Sequence, residues 1–107
     1  MAVTLIQTTV PEETEGQRLA DKLLNEKLAA CVWVMPAMHS HYNWKGKREC
    51  DREHLVIIKT LTEKSDDVYT LLLQEHSYEC PEIISLTADR VSEGYLGFMR
   101  RELEGRS

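Results

Sequence analysis

A chain of 107 residues makes one domain with room for a single hydrophobic core. Its formal net charge of −5, with no basic cluster beyond Lys45-Gly46-Lys47-Arg48, argues against a nucleic-acid surface and suits cations better. Three cysteines, at positions 31, 50 and 80, without C-x-x-C spacing, argue against a disulfide framework and make a reducing compartment the default. The segment from Met1 has no basic stretch followed by an apolar run, so a soluble cytoplasmic protein is expected.

In chain order, Val3 to Thr8 is short, apolar and β-branched and reads as a strand. Thr9-Val10-Pro11-Glu12 offers a capping box, from which a helix carries Leu19, Ala20, Leu23, Leu24 and Leu28 as an apolar stripe. Ala29 to Met35 is apolar at nearly every position, which predicts a strand buried on both faces. Pro36 interrupts it, and Ser40 to Arg48 with Gly46 reads as strand end plus hairpin turn. Leu55 to Thr60 is a second doubly apolar strand. Ser65-Asp66-Asp67 provides a capping residue and acidic first turn for a helix bearing Val68, Leu71 and Leu72 and ending near His76. A strand follows at Ile83 to Leu86, with Pro81 placed to start it, and Ser92-Glu93-Gly94-Tyr95 opens a short final helix that stops near Gly105.

The order β-α-β-β-α-β plus a terminal helix is the split βαβ arrangement, an α+β antiparallel sheet with two helices on one face. Two helices leave the other face bare. Its apolar strands predict an exposed patch of roughly several hundred Å², and therefore association of sheets from several subunits.

Chemistry concentrates where the second helix meets the last strand, in His76-Ser77-Tyr78-Glu79-Cys80-Pro81-Glu82. Thiolate and imidazole select copper or zinc, and Cys31 with His76 forms the leading pair, although a cysteine in an apolar strand also serves as a small buried hydrophobe. Cys50, in a polar segment, is expected to be accessible, and Cys80 fits either role. His39 and His41 share a strand face and can chelate or bridge a metal; two solvated histidines are the plain alternative. Glu79 and Glu82 point to opposite faces if their segment is extended, and Glu82 is a partner for Lys59. Tyr42 and Trp44 share a face and can line a groove or pack an interface.

Leu28-Ala29-Ala30-Cys31-Val32, Tyr42-Asn43-Trp44-Lys45-Gly46-Lys47, Ile57-Ile58-Lys59-Thr60, His76 to Ile84 and Gly94-Tyr95-Leu96 together resemble the CutA divalent-cation tolerance family over nearly the whole chain. The resemblance implies a ferredoxin-like subunit in a homotrimer similar to the PII signalling proteins, and a role in tolerance to copper and other divalent metal ions. It also implies an inter-subunit cleft lined by Tyr42, Trp44, Lys59, His76, Tyr78 and Glu82. The chain departs from the family at Trp33, Ser77 and Phe98, none of which removes a candidate ligand.

Two functions stand side by side: a metal-responsive binding protein without turnover, and a PII-like sensor of a small anionic metabolite held by Lys59, Lys45 and the tyrosines. An enzyme with Cys31 or Cys80 as nucleophile and His76 as base is the weakest reading, since the chain has no Gly-rich phosphate loop and no nucleophile elbow.

Overall fold

The computed structural model describes residues 2–105. Its elements are β1 (Val3–Val10), α1 (Glu13–Asn25), β2 (Cys31–Trp44), β3 (Lys47–Leu61), α2 (Ser65–Glu75), β4 (Ile84–Ala88) and α3 (Glu93–Glu104), with a single 3₁₀ turn at Thr62–Lys64. All strand pairs are antiparallel and the sheet order is β2-β3-β1-β4. The fold is thus α+β, with one four-stranded sheet and three helices. No helix among the described residues is long and apolar enough to cross a membrane.

The period-two alternation of β1 and β3 divides the sheet into two faces. Ile6 and Val10 of β1 and Val56 and Ile58 of β3 meet Leu19 and Leu23 of α1 and Val68, Leu71 and Leu72 of α2, all buried. Each leucine so buried contributes roughly 2 kcal/mol by transfer from water. Gly16 lets α1 lie close on the sheet, because a Cβ there would stand 2.8 Å from Val34 Cγ1. The opposite face carries two cross-strand rows, Trp33–Ile57–Gln7–Ile84 and Cys31–Lys59–Leu5–Leu86. One end of this face is covered by α3, where Val3 and Leu61 pack on Met99 and Leu103. The rest is bare: Trp33, Ile84 and Leu86 are 50%, 45% and 52% exposed.

Several local expectations are corrected. Thr9 does not cap α1: it continues β1 opposite Leu55, and Glu12 takes the N-cap position without a side-chain bond. The first helix stops at Asn25 instead of running through Leu28. Lys27 adopts φ 56, and the Leu28 amide reaches back to the Leu23 carbonyl while that of Lys27 bonds to Leu24, a Schellman turn made without glycine. Leu28 follows that turn and packs against the core. Ser65 is the first residue of α2 and not its cap; its hydroxyl donates to the Thr62 carbonyl. β4 begins at Ile84, three residues beyond Pro81.

The largest departure concerns β2, which runs 14 residues and straight past Pro36. The register advances from Val34↔Val56 to Ala37↔His54, so Met35 and Pro36 together oppose Leu55 in a β-bulge. Proline lacks the N–H a regular ladder would demand, and a bulge tolerates that loss. The freed Met35 carbonyl is satisfied by His54 Nδ1–H at 3.0 Å. Nor is β2 buried on both faces within the chain, since Trp33 and Met35 stand exposed. Beyond Met38↔Glu53 the hairpin pairs only with itself and forms an arm of roughly 20 Å. It ends in a two-residue turn with positive φ at Lys45 (50) and Gly46 (80), the type I′ geometry that suits the strand twist. The arm raises the radius of gyration to 14.7 Å, against about 13 Å expected for a compact domain of this length.

Candidate functional site

The bulge sets which side chains share a face of the arm. Before it, odd residues of β2 share the bare face with odd residues of β3. After it, Met38, Ser40, Tyr42 and Trp44 do so, opposite Glu53, Asp51, Glu49 and Lys47. The loop 76–82 folds against the base of this face and closes an open groove of about 950 Å³, whose lining includes Tyr42, Trp44, Tyr78, Cys80, Thr9 and Ser40. Five carboxylates line it, from Glu49, Asp51, Glu53, Glu79 and Glu82, against Lys45; His41 borders it, although the strand register turns its side chain toward the other face.

The loop is tied down at four points. The His76 side chain is fully buried at the C-cap of α2. Its Nδ1 accepts the Tyr78 N–H at 3.0 Å, and its Nε2 donates to the Thr9 carbonyl at 2.9 Å, with the Thr8 hydroxyl also within 3.1 Å. Glu15 of α1 accepts from the amide and hydroxyl of Ser77 at 3.0 and 2.6 Å. The Tyr78 hydroxyl donates to Glu53 at 2.7 Å, and Gln7 donates to Glu82 at 2.7 Å. Burial, followed by the Glu53 carboxylate, pushes the Tyr78 phenol well up from its usual value. Tyr42 donates to Asp51 and is pushed up to about 12, chiefly by that bond.

The structure does not bring Cys31 and His76 together. Cys31 is half-buried and pairs with Lys59 in the row of Leu5, whereas His76 sits beside Thr8 and Thr9, about 10–13 Å farther along β1. Both His76 nitrogens are occupied by the protein's own groups, so the ring acts as a clamp for the loop. Lys59 does not meet Glu82 within the chain, where Glu82 accepts from Gln7. Its ammonium lies 3.6 Å from the Trp33 ring centroid and 5.5 Å from that of Tyr95, a cation–π seat that accommodates a charge on an apolar face. Burial and the neighbouring Cys31 push the Tyr95 phenol up. Glu79 and Glu82 do not point apart: both line the groove, because 76–83 bends and is no strand. Cys80 lines the groove, exposed; Cys50, also exposed, lies with His39 and His41 on the opposite face of the arm. Among the described residues, no three His, Cys, Asp or Glu side chains converge as a metal-holding group.

Sequence reasoning missed Glu49, Asp51 and Glu53, and with them the groove floor. Their alternation at every second position is itself a strand signal. It also missed Glu15, Gln7 and Thr8, whose roles depend on contacts across more than 60 residues of chain.

Residues 4–102 match the family profile described as CutA1 divalent ion tolerance protein. The chain belongs to the CutA family. It is 36% identical over 96 residues to the chloroplastic protein CutA of Arabidopsis thaliana, covering 90% of this chain and 53% of the relative. It is 34% identical over 99 residues to the divalent-cation tolerance protein CutA of Yersinia pestis, covering 92% of this chain and 83% of that one. The chain thus spans about half the length of the plant relative. The crystal structure of CutA1 from Oryza sativa superposes with a TM-score of 0.90 at 35% identity, covering 95% of this chain and 94% of that chain. Divalent-cation tolerance, the role in the family's name, agrees in sign with a groove dominated by carboxylates.

Proposed function

We propose that the protein is a homotrimer of ferredoxin-like, PII-like subunits that binds divalent metal ions, copper among them, and takes part in the response to them without catalytic turnover. The observation that carries this reading is the charge of the groove. Five carboxylates attract a cation and repel an anionic metabolite, which weighs against the sensor alternative even though Lys45 stands at the rim. Trimer formation is supported by the bare rows around Trp33 and Leu86 and by an arm whose strands, beyond its base, pair only with each other among the described residues, since an isolated two-stranded ribbon is marginal in water. Three unbridged thiols fit a reducing compartment such as the cytoplasm. His76, the base an enzyme would require, is fully engaged in structure.

Calorimetric titration with Cu(II) and Zn(II), on wild type and on Glu79→Gln/Glu82→Gln, tests the reading. Removing two charges from the groove is expected to weaken binding by about tenfold or more at low salt. Equal affinity in the variant, or tight binding of an anionic nucleotide by the wild type, refutes it. Sedimentation of the wild type as a single trimeric species tests the assembly.

A further inference from the structure

The arm has a second face, which the strand register turns away from the groove, although His41 borders the groove's rim. Ala37, His39, His41 and Asn43 lie there opposite His54, Arg52, Cys50 and Arg48. His41 and Cys50 are direct cross-strand partners, and Nε2 of the one lies 3.9 Å from Sγ of the other. That span is too long for a strong hydrogen bond and suits an ion between them. With metal–nitrogen and metal–sulfur bonds of about 2.0–2.1 and 2.3 Å, a separation of 3.9 Å subtends about 125–130° at the ion, so the pair can ligate without movement of the backbone. His39 stands one pleat away on the same face, about 7 Å along the strand, and reaches the same point by a change of rotamer. The arrangement is therefore a two-ligand clamp with a third ligand in reach, consistent with no closed three-ligand set among the described residues.

We propose that His41 and Cys50, completed by His39, form a Cu(I) site on the face of the arm opposite the acidic groove. Thiolate with imidazole is a soft donor set. Arg48 and Arg52 flank Cys50 on the same face and discriminate by charge. When Cu(I) replaces the thiol proton the local charge is unchanged, whereas a divalent ion adds a positive charge beside two guanidinium groups. The coordination step balances simply: the S–H proton leaves to solvent as the S–Cu bond forms, and no electron is transferred. The site adds a Cu(I) location to the divalent-ion binding proposed for the groove; its biological sense rests on that reading while its chemistry does not.

The test is an anaerobic titration of the reduced full chain with Cu(I) against a chromogenic Cu(I) chelator. The panel comprises wild type, Cys50→Ser, His41→Ala, His39→Ala, the Cys31→Ser/Cys80→Ser pair and the Glu79→Gln/Glu82→Gln pair. Circular dichroism shows that each variant is folded, and the arm residues are exposed enough to be replaced without disturbing the core. Wild type is expected to bind one Cu(I) per chain with a single sulfur scatterer in X-ray absorption. Cys50→Ser and His41→Ala weaken binding by more than the roughly 10- to 100-fold that even outer-shell changes produce, and His39→Ala weakens it less. The other two pairs bind as wild type. If Cys50→Ser binds Cu(I) like the wild type, or the wild type cannot compete with the chelator, the proposal falls. If the groove pair loses Cu(I) while Cys50→Ser retains it, the proposal falls and the groove reading stands. Loss in Cys50→Ser alone supports the arm site whatever the groove does with divalent ions.

Discussion

Replacing His76 by alanine removes the clamp that fixes the loop of the groove, and its cost can be worked from the contacts. The imidazole satisfies the Tyr78 amide, the Thr9 carbonyl and the Thr8 hydroxyl. At about 1 kcal/mol net for each hydrogen bond this amounts to about 3 kcal/mol, and the space left by a fully buried ring adds about 1–2 kcal/mol. A loss of about 4 kcal/mol is a large share of the roughly 5–15 kcal/mol by which a domain is stable. Two conservative variants divide the effect: asparagine can accept from Tyr78 in place of Nδ1, and glutamine can donate to Thr9 in place of Nε2. Each is expected to recover about 1 kcal/mol. Urea unfolding followed by circular dichroism at matched protein concentration measures all four proteins, since the proposed association would make stability concentration-dependent. His76→Ala within about 1 kcal/mol of wild type, or Asn and Gln no better than Ala, would refute the assignment of His76 as a structural clamp.

Absorbance titration of the tyrosines should show Tyr42, Tyr78 and Tyr95 ionising later than free phenol, with Tyr42 near about 12 and moving back toward 10 in Asp51→Asn. The folded state keeps these protons when the unfolded chain loses them, so their contribution to stability is complete below pH 10 and disappears as the pH rises through about 12 for Tyr42. Gly16→Ala should cost about 1–3 kcal/mol by driving a methyl into Val34, and Val34→Ala in the same chain should recover part of it; additive losses would disprove the close contact. Lys27→Gly relieves a left-handed lysine at the end of α1 and should raise the urea midpoint by the equivalent of about 0.5–1 kcal/mol.

The elements that make the core were legible because each buries one face by a simple period. The stripe of Leu19 and Leu23 and the alternation through Ile6, Val56 and Ile58 carry their own instructions. The open-face patch was legible too, since a run such as Leu55 to Ile58 needs cover on both sides. The arm was legible only in part: the hairpin turn at Gly46 and the shared face of His39 and His41 were read, but Pro36 looked like an end and hid that one strand runs through it. The groove was half legible: spacing put Tyr42 and Trp44 on one face, and the family resemblance named them with Tyr78 and Glu82 as lining a cleft between subunits, but the pairing of Tyr78 with Glu53 and of Glu82 with Gln7 depends on where a bent loop lands. The same bend misled the expectation that Glu79 and Glu82 diverge.

The bulge at Met35 and Pro36 works as a phase shifter. Deleting one of these two residues would leave the pairing and both faces of the arm as they are, with Ala37 still opposite His54 and Tyr42 still opposite Glu49, and would remove only the bulge with its local bend and twist. The segment can thus take up a one-residue change in length without disturbing either surface, whereas an unabsorbed one-residue slip within the arm would turn every side chain of β2 beyond it to the other face.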